Sequence, residues 1–225
     1  MIRRENDKKG KEDKYIEHLI KIVCYISLPL VMLFALTMFT SVFRTGNVNM
    51  NVNNSDSFVN VLLTFSLPMF ISLVVMPVII KIFIEKVGVN QLGLMIFSRC
   101  NIVLCILMGI LSLFLAICLL NNKSLKVSAW TVLFHFFIVA ISEETILRGV
   151  IMNELLYFTQ NRIVLCLANS IIFAFVYHSS EDFIANLFIR VPLGFVLSYV
   201  RLRQKSIYPS IMLHLLYNMF VSVIG

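Results

Sequence analysis

The apolar positions of this 225-residue chain gather into long runs separated by short polar connections. The runs cover residues 19–43, 58–84, 95–120, 130–158, 163–177, 183–200 and 207–224. Their lengths lie near the roughly 20 apolar residues needed to cross about 30 Å of hydrocarbon. They are too long and too uniform to be the patterned faces of a soluble core. A lone span must satisfy its own backbone groups, so each run predicts a helix. The expected fold is all-α: a polytopic membrane helix bundle of about seven transmembrane helices. Pro29, Pro68, Pro77 and Pro192 fall inside runs, where kinks are tolerated in membrane helices. The Asn-rich stretch 46–57 reads as a polar loop, and no internal repeat is visible.

Composition agrees. The chain is 59% hydrophobic and 14% charged, against about half and a quarter in soluble domains. No stretch is left over for a soluble module. The organisation expected is a polar cytoplasmic tail over 1–18, three N-terminal spans over 19–129, and a core over 130–225. The formal charge of +7 resides in connections between runs, as membrane topology requires, and does not indicate nucleic-acid binding. The tail mixes both signs, and it is too long and too acidic for the n-region of a signal peptide. Its expected contacts are solvent and anionic lipid. Cys24, Cys100, Cys105, Cys118 and Cys166 lie in or beside apolar runs without a CxxC pair, and read as small buried hydrophobes.

With the N-terminus inside, the inner connections hold the basic tail, Lys81, Lys86, Arg99, Arg162, Arg201, Arg203 and Lys205. The outer ones hold Arg44, Lys123, Lys126, Glu181 and Asp182. That asymmetry predicts a cytoplasmic N-terminus and an outer C-terminus for seven spans. Low Gly with high Lys, Asn and Ile points to the cell membrane of an AT-rich bacterium.

Ionisable residues inside apolar runs carry the chemistry, because each costs at least about 2.5 kcal/mol at the centre of a span. The fourth run contains Glu143, Glu144 and Arg148. Glu144 and Arg148 are four apart on one helix face and can pair. Glu143 is rotated by about 100° and is free to face another helix. His178 ends the fifth run. His214 lies in the seventh, with Asn218 one turn on. A glutamate and two imidazoles on separate helices form a catalytic zinc set with an open position. The same three also suffice for metal-free water activation. These alternatives stay open, so the cofactor is Zn2+, another divalent metal, or none. His135 reads as a packing residue two turns before Glu143, and His18 as a solvated residue at the tail.

The segments EETILR (residues 143–148) and HLLYN (residues 214–218), with His178 between them, have the forms Glu-Glu-x-x-x-Arg and His-x-x-x-Asn. In this order the chain resembles the CPBP family of intramembrane metalloproteases. That family comprises CAAX prenyl proteases and the Abi, or bacteriocin-processing and immunity-associated, proteins. The resemblance covers about 130–225, the last four spans. It departs at the middle motif, Phe-x-x-x-His, where Ala174 stands four before His178 and Phe173 and Phe175 flank it.

The resemblance implies a helical core with a cavity open to one side. There Glu143 and His178 activate water, His214 and Asn218 stabilise the oxyanion, and Glu144 and Arg148 hold the glutamate-bearing helix. In the metal-dependent form, Glu143, His178 and His214 are ligands. The implied partners are a peptide or protein substrate at the membrane and the lipid bilayer. Oligomeric state is not legible.

Counting rises along the runs sets His178 near one face, His214 near the other and Glu143 between. One site therefore requires the turn 179–182 to be sunk into the protein. Two other functions compete: a non-catalytic membrane partner conferring bacteriocin immunity or scaffolding a complex, and a proton-coupled transporter. The first has no use for three costly residues. The second commonly shows paired halves, whereas the buried charge recognised here lies in one half.

Overall fold

The computed structural model describes residues 2–46, 57–95, 98–120, 129–180 and 182–224. Among these the chain forms helical rods and no strand. The rods are α1 (Ile2–Thr45), α2 (Phe58–Ile84), α3 (Arg99–Leu120), α4 (129–158), α5 (Arg162–Tyr177), α6 (Phe183–Gln204) and α7 (Tyr208–Ile224). Glu12–Arg44, Phe58–Ile84, Arg99–Leu119 and Phe183–Gln204 are long and apolar enough to cross a membrane. The chain is a multi-pass helical membrane protein.

Local chemistry sets the breaks. Asn161 accepts the backbone N–H of Ile163 at 3.0 Å and so caps α5, and Asp182 does the same for Ala185 at 3.0 Å to start α6. Lys205 ends α6 in the left-handed region at φ 56°. In α2, Pro68 and Pro77 each follow a π segment, Leu62–Ser66 and Ile71–Val75, and the helix absorbs the missing N–H donors in that wider winding.

Two apolar clusters organise the bundle. One joins α1, α2, α4 and α5 through Ile22, Leu73, Ile146, Val150 and Phe173. The other joins α3, α4 and α7 through Ala116, Ala140, Ile211, Leu215 and Met219. Helix α4 belongs to both, and its charged residues lie where they meet. The connection after α2 tucks beneath α6 and α7. Ile207 N–H bonds to Gly93 O at 2.9 Å, Tyr208 Oη to Leu94 O at 3.0 Å, and Arg201 Nη2 to Gln91 O at 3.0 Å. Gly93 has φ 72°, and a Cβ there would stand 2.5 Å from the Arg201 guanidinium.

Four expectations need correction. Of the five cysteines only Cys166 is buried; Cys24 and Cys100 are exposed on the protein surface, and Cys105 and Cys118 are partly so. Lys81 is not in a connection but wholly buried in α2, bonded to Glu85 Oε2 at 2.8 Å and to Glu154 of α4. His18 is not solvated: its Nδ1 meets Glu154 Oε2 at 2.5 Å, and its ring stacks on Tyr157 at 3.8 Å. Buried charge therefore occupies both halves, and this second cluster ties α1 and α2 to α4.

The fourth correction concerns the turn after His178. Ser179, Ser180 and Asp182 are exposed, so that turn is not sunk into the protein.

Candidate active site

Helices α4 and α5 are joined by the short turn 159–161. Glu143 lies fifteen residues before Phe158, and His178 lies sixteen after Arg162. At about 1.5 Å per residue both stand about 23 Å from that turn. The two are level because α5 ends at Tyr177, at the depth of Glu143.

Glu143 is 8% exposed. Its Oε2 faces His178 Nε2 at 3.7 Å and His214 Nε2 at 3.8 Å. Both separations exceed hydrogen-bond length, and neither Glu143 Oε2 nor His178 Nε2 has another partner. Buried polar atoms are almost always satisfied. Here two of them face each other with no hydrogen bond between them.

Glu144 does two tasks on the opposite side. Its Oε1 accepts Arg148 Nη1 at 3.0 Å, the pair expected from their spacing. The same oxygen lies 2.9 Å from His214 Nδ1, a contact that spacing could not show. Both Glu144 and Arg148 are 0% exposed. Arg148 Nη2 donates to Gly194 O at 3.2 Å, and the guanidinium lies 4.8 Å from the Phe173 ring. Gly194 permits that approach of α6 to α5, since a Cβ there would lie 2.9 Å from Phe173 Cδ1.

The departure at Ala174 has a structural answer. Residues Phe173–Tyr177 form a π segment, which stacks positions five apart rather than four. The extra residue brings Phe173 to the His178 ring, edge to face at 4.9 Å, and to His214 at 5.8 Å. Phe173 packs against both imidazoles, so the spacing differs from the family motif while the contact is made.

A cavity of about 180 Å³ opens beside these residues, lined by His178, His214, Asn218, Phe136, Phe173 and Arg190 among others. Asn218 thus shares the cavity with both histidines. Asn186 Nδ2 donates to His178 O at 2.8 Å and fixes the end of α5. His135 lies elsewhere: its Nδ1 pairs with Ser66 Oγ of α2 at 3.0 Å. Among the described residues no three His, Cys, Asp or Glu side chains are placed to hold a metal ion.

Fold and site together define a membrane-embedded helical bundle with a Glu-His-His cluster behind a small cavity. Residues 125–220 match the family model of type II CAAX prenyl endopeptidase Rce1-like proteins. The match lies over the stretch that carries the resemblance to the CPBP family. No curated protein and no solved structure matches the chain.

Proposed function

We propose that the chain is an intramembrane endopeptidase in which Glu143 activates water against a peptide bond of a membrane-proximal segment. One observation carries this: the unpartnered Glu143 Oε2 facing the Nε2 atoms of His178 and His214 at 3.7 and 3.8 Å. A water held there takes hydrogen bonds from or to all three groups.

The proton inventory follows from the hydrogen bonds. Glu144 is tied to Arg148 and accepts from His214, so the His214 Nδ1 carries hydrogen. His214 Nε2 can therefore donate only when the ring holds both hydrogens, with Glu144 Oε1 at 2.9 Å behind it and Glu143 Oε2 at 3.8 Å in front. Glu143 takes a proton from the water while His178 orients it, and the hydroxide oxygen adds to the carbonyl carbon. The oxyanion accepts from His214 and from Asn218. The C–N bond breaks as Glu143 returns its proton to the leaving nitrogen, giving a carboxylic acid and an amine.

Zinc or another divalent ion would be held by Glu143, His178 and His214 and would polarise the water and the carbonyl. The described donors, as placed, do not form such a set.

A groove of about 610 Å³ with a wholly apolar lining runs between α3, α6 and α7 and shares Leu193 and Tyr217 with the cavity. The two residues it shares with the cavity, and its apolar lining, support an apolar stretch of the substrate as its occupant. Maturation of a secreted peptide or self-immunity to a bacteriocin is the biological role that fits the resemblance. The distribution of Lys and Arg supports a cytoplasmic N-terminus in a cell membrane, with Lys81 removed from the count. The test is cleavage of a membrane-segment peptide library by purified protein, with and without chelator. Cleavage by the parent and not by Glu143→Gln supports the reading. Binding of peptide without any turnover favours the non-catalytic partner.

A further inference from the structure

The cavity beside Glu143 has a long axis set by two helices. Helix α4 is regular α-helix from Ala129 to Glu144, and α7 is regular from Tyr208 to Ile224. Three short connections separate them, so the two run in opposite directions. On α4, Phe136 stands seven residues before Glu143. Two turns bring it back to the same face, about 20° off, and displace it by about 10 Å. On α7, Val221 stands seven residues after His214, again on one face and about 10 Å along. Phe136, His178, His214, Asn218 and Val221 all line the cavity. It is therefore a slot about two helical turns long, with the imidazoles at one end and Phe136 and Val221 at the other.

Size decides what that slot can take. Its volume is about 180 Å³. Sites that enclose a whole small molecule have roughly 300–1,000 Å³. The attacking water takes about 30 Å³, and the scissile amide lies against the imidazoles. The remainder suits a short side chain and not a leucine or an aromatic ring. Phe136 is the bulkier of the two residues at the far end, and it packs against the apolar cluster that holds Ile211, Leu215 and Met219. A wall packed in that way resists added methylenes.

We propose that Phe136 is a specificity-determining residue that limits the substrate side chain next to the scissile amide to glycine, alanine or serine. This rests on reading the cavity as the site of peptide hydrolysis. The substrate class that follows is a membrane segment broken at a step of small residues. Such a step serves the reaction twice, because small residues fit the slot and glycine weakens the helix that would otherwise hide the amide. The apolar groove that shares Leu193 and Tyr217 with the cavity then holds the larger residues to one side of the step.

The test uses the full chain in nanodiscs. The probes are synthetic membrane segments of leucine and valine that differ only in two adjacent central residues: Gly-Gly, Ala-Ala, Leu-Leu or Phe-Phe. Mass spectrometry reads the cut position and the initial rate. The parent is expected to cut at Gly-Gly and Ala-Ala about tenfold or more faster than at Leu-Leu or Phe-Phe. Phe136→Ala is expected to raise the Leu-Leu rate relative to Ala-Ala about tenfold, and Phe136→Trp to lower Ala-Ala relative to Gly-Gly. Comparing one pair of probes between variants cancels any difference in how readily the probes unwind. A merely structural Phe136 would slow all four probes in one proportion. Phe136→Trp and the parent's own ratios decide the matter if Phe136→Ala does not fold. Equal rates in the parent, or ratios that neither variant moves, overturn the proposal and leave the peptidase reading standing. Cleavage of no probe by folded parent protein overturns both.

Discussion

Glu143 Oε2 stands 3.7 Å from His178 Nε2, on a different helix, with no hydrogen bond between them and none made elsewhere by either atom. A water that bonds to both atoms would sit to one side of the line that joins them. The relationship exists because α5 stops short, sixteen residues after its start at Arg162, at the level of Glu143. Adding a full helical turn before His178 would carry the imidazole past its partner by about 5.4 Å. Insertion of four alanines after Leu167 is therefore expected to abolish cleavage while the protein still inserts and resists protease. Retained cleavage would show that His178 is not part of the site.

Arg148→Ala is expected to cost about 3–5 kcal/mol, because it leaves Glu144 buried without its cation. Glu144→Gln together with Arg148→Gln restores folding better than Arg148→Ala but not activity, since His214 loses the carboxylate that fixes its Nδ1–H. Thermal unfolding in detergent measures the first effect and peptide cleavage the second. Normal stability of Arg148→Ala would mean the pair is not enclosed.

The π segment at Phe173–Tyr177 gives a sharper test of local geometry. Deleting Ala174 restores the plain Phe-x-x-x-His spacing and removes the residue that widens the turn. If the extra residue is matched to the π winding, the shortened α5 can keep Phe173 against His178 as an ordinary α turn. Measurable cleavage is then expected from the deletion, and none from Phe173→Ala. Wild-type activity in Phe173→Ala would show that packing on the imidazoles is dispensable.

The second buried cluster predicts a stability effect separable from chemistry. Lys81→Ala leaves Glu154 without its buried cation, at a cost of several kcal/mol. Lys81→Met with Glu154→Gln removes both charges and is expected to recover much of that loss. The melting temperature should move in this order while the cleavage site in a fixed peptide stays the same. A shifted cleavage site would connect this cluster to substrate binding.

The Glu143, Glu144, Arg148, His178 and His214 set was legible in the sequence because a charge or imidazole within an apolar run stands out, and the Glu144–Arg148 pair follows from helical spacing alone. Contacts between distant helices were not legible. Lys81 stands near the end of its run, so it read as interfacial, and Glu154 and His18, its associates, are 73 and 63 residues from it in the chain. Glu144 holding His214 is hidden for the same reason. The depth of His178 is not legible in run lengths alone, because it is set by the turn 159–161 that α4 and α5 share and by where α5 ends. Phe173 was obscured because a π turn shifts spacing by one residue, and nothing in the composition of FAFVY announces it.

In the proposed reaction Glu143 and His178 activate water for hydrolysis of a peptide bond. Cleavage of a peptide by purified protein in 18O-water, followed by mass spectrometry of the new C-terminus, tests it most directly. One 18O atom is expected in the new carboxylate of a product formed by the parent protein. A fall in rate of about 10²–10⁴ is also expected in Glu143→Gln, with the melting temperature nearly unchanged. Product formed at the parental rate by Glu143→Gln, or cleavage without 18O incorporation, would contradict it.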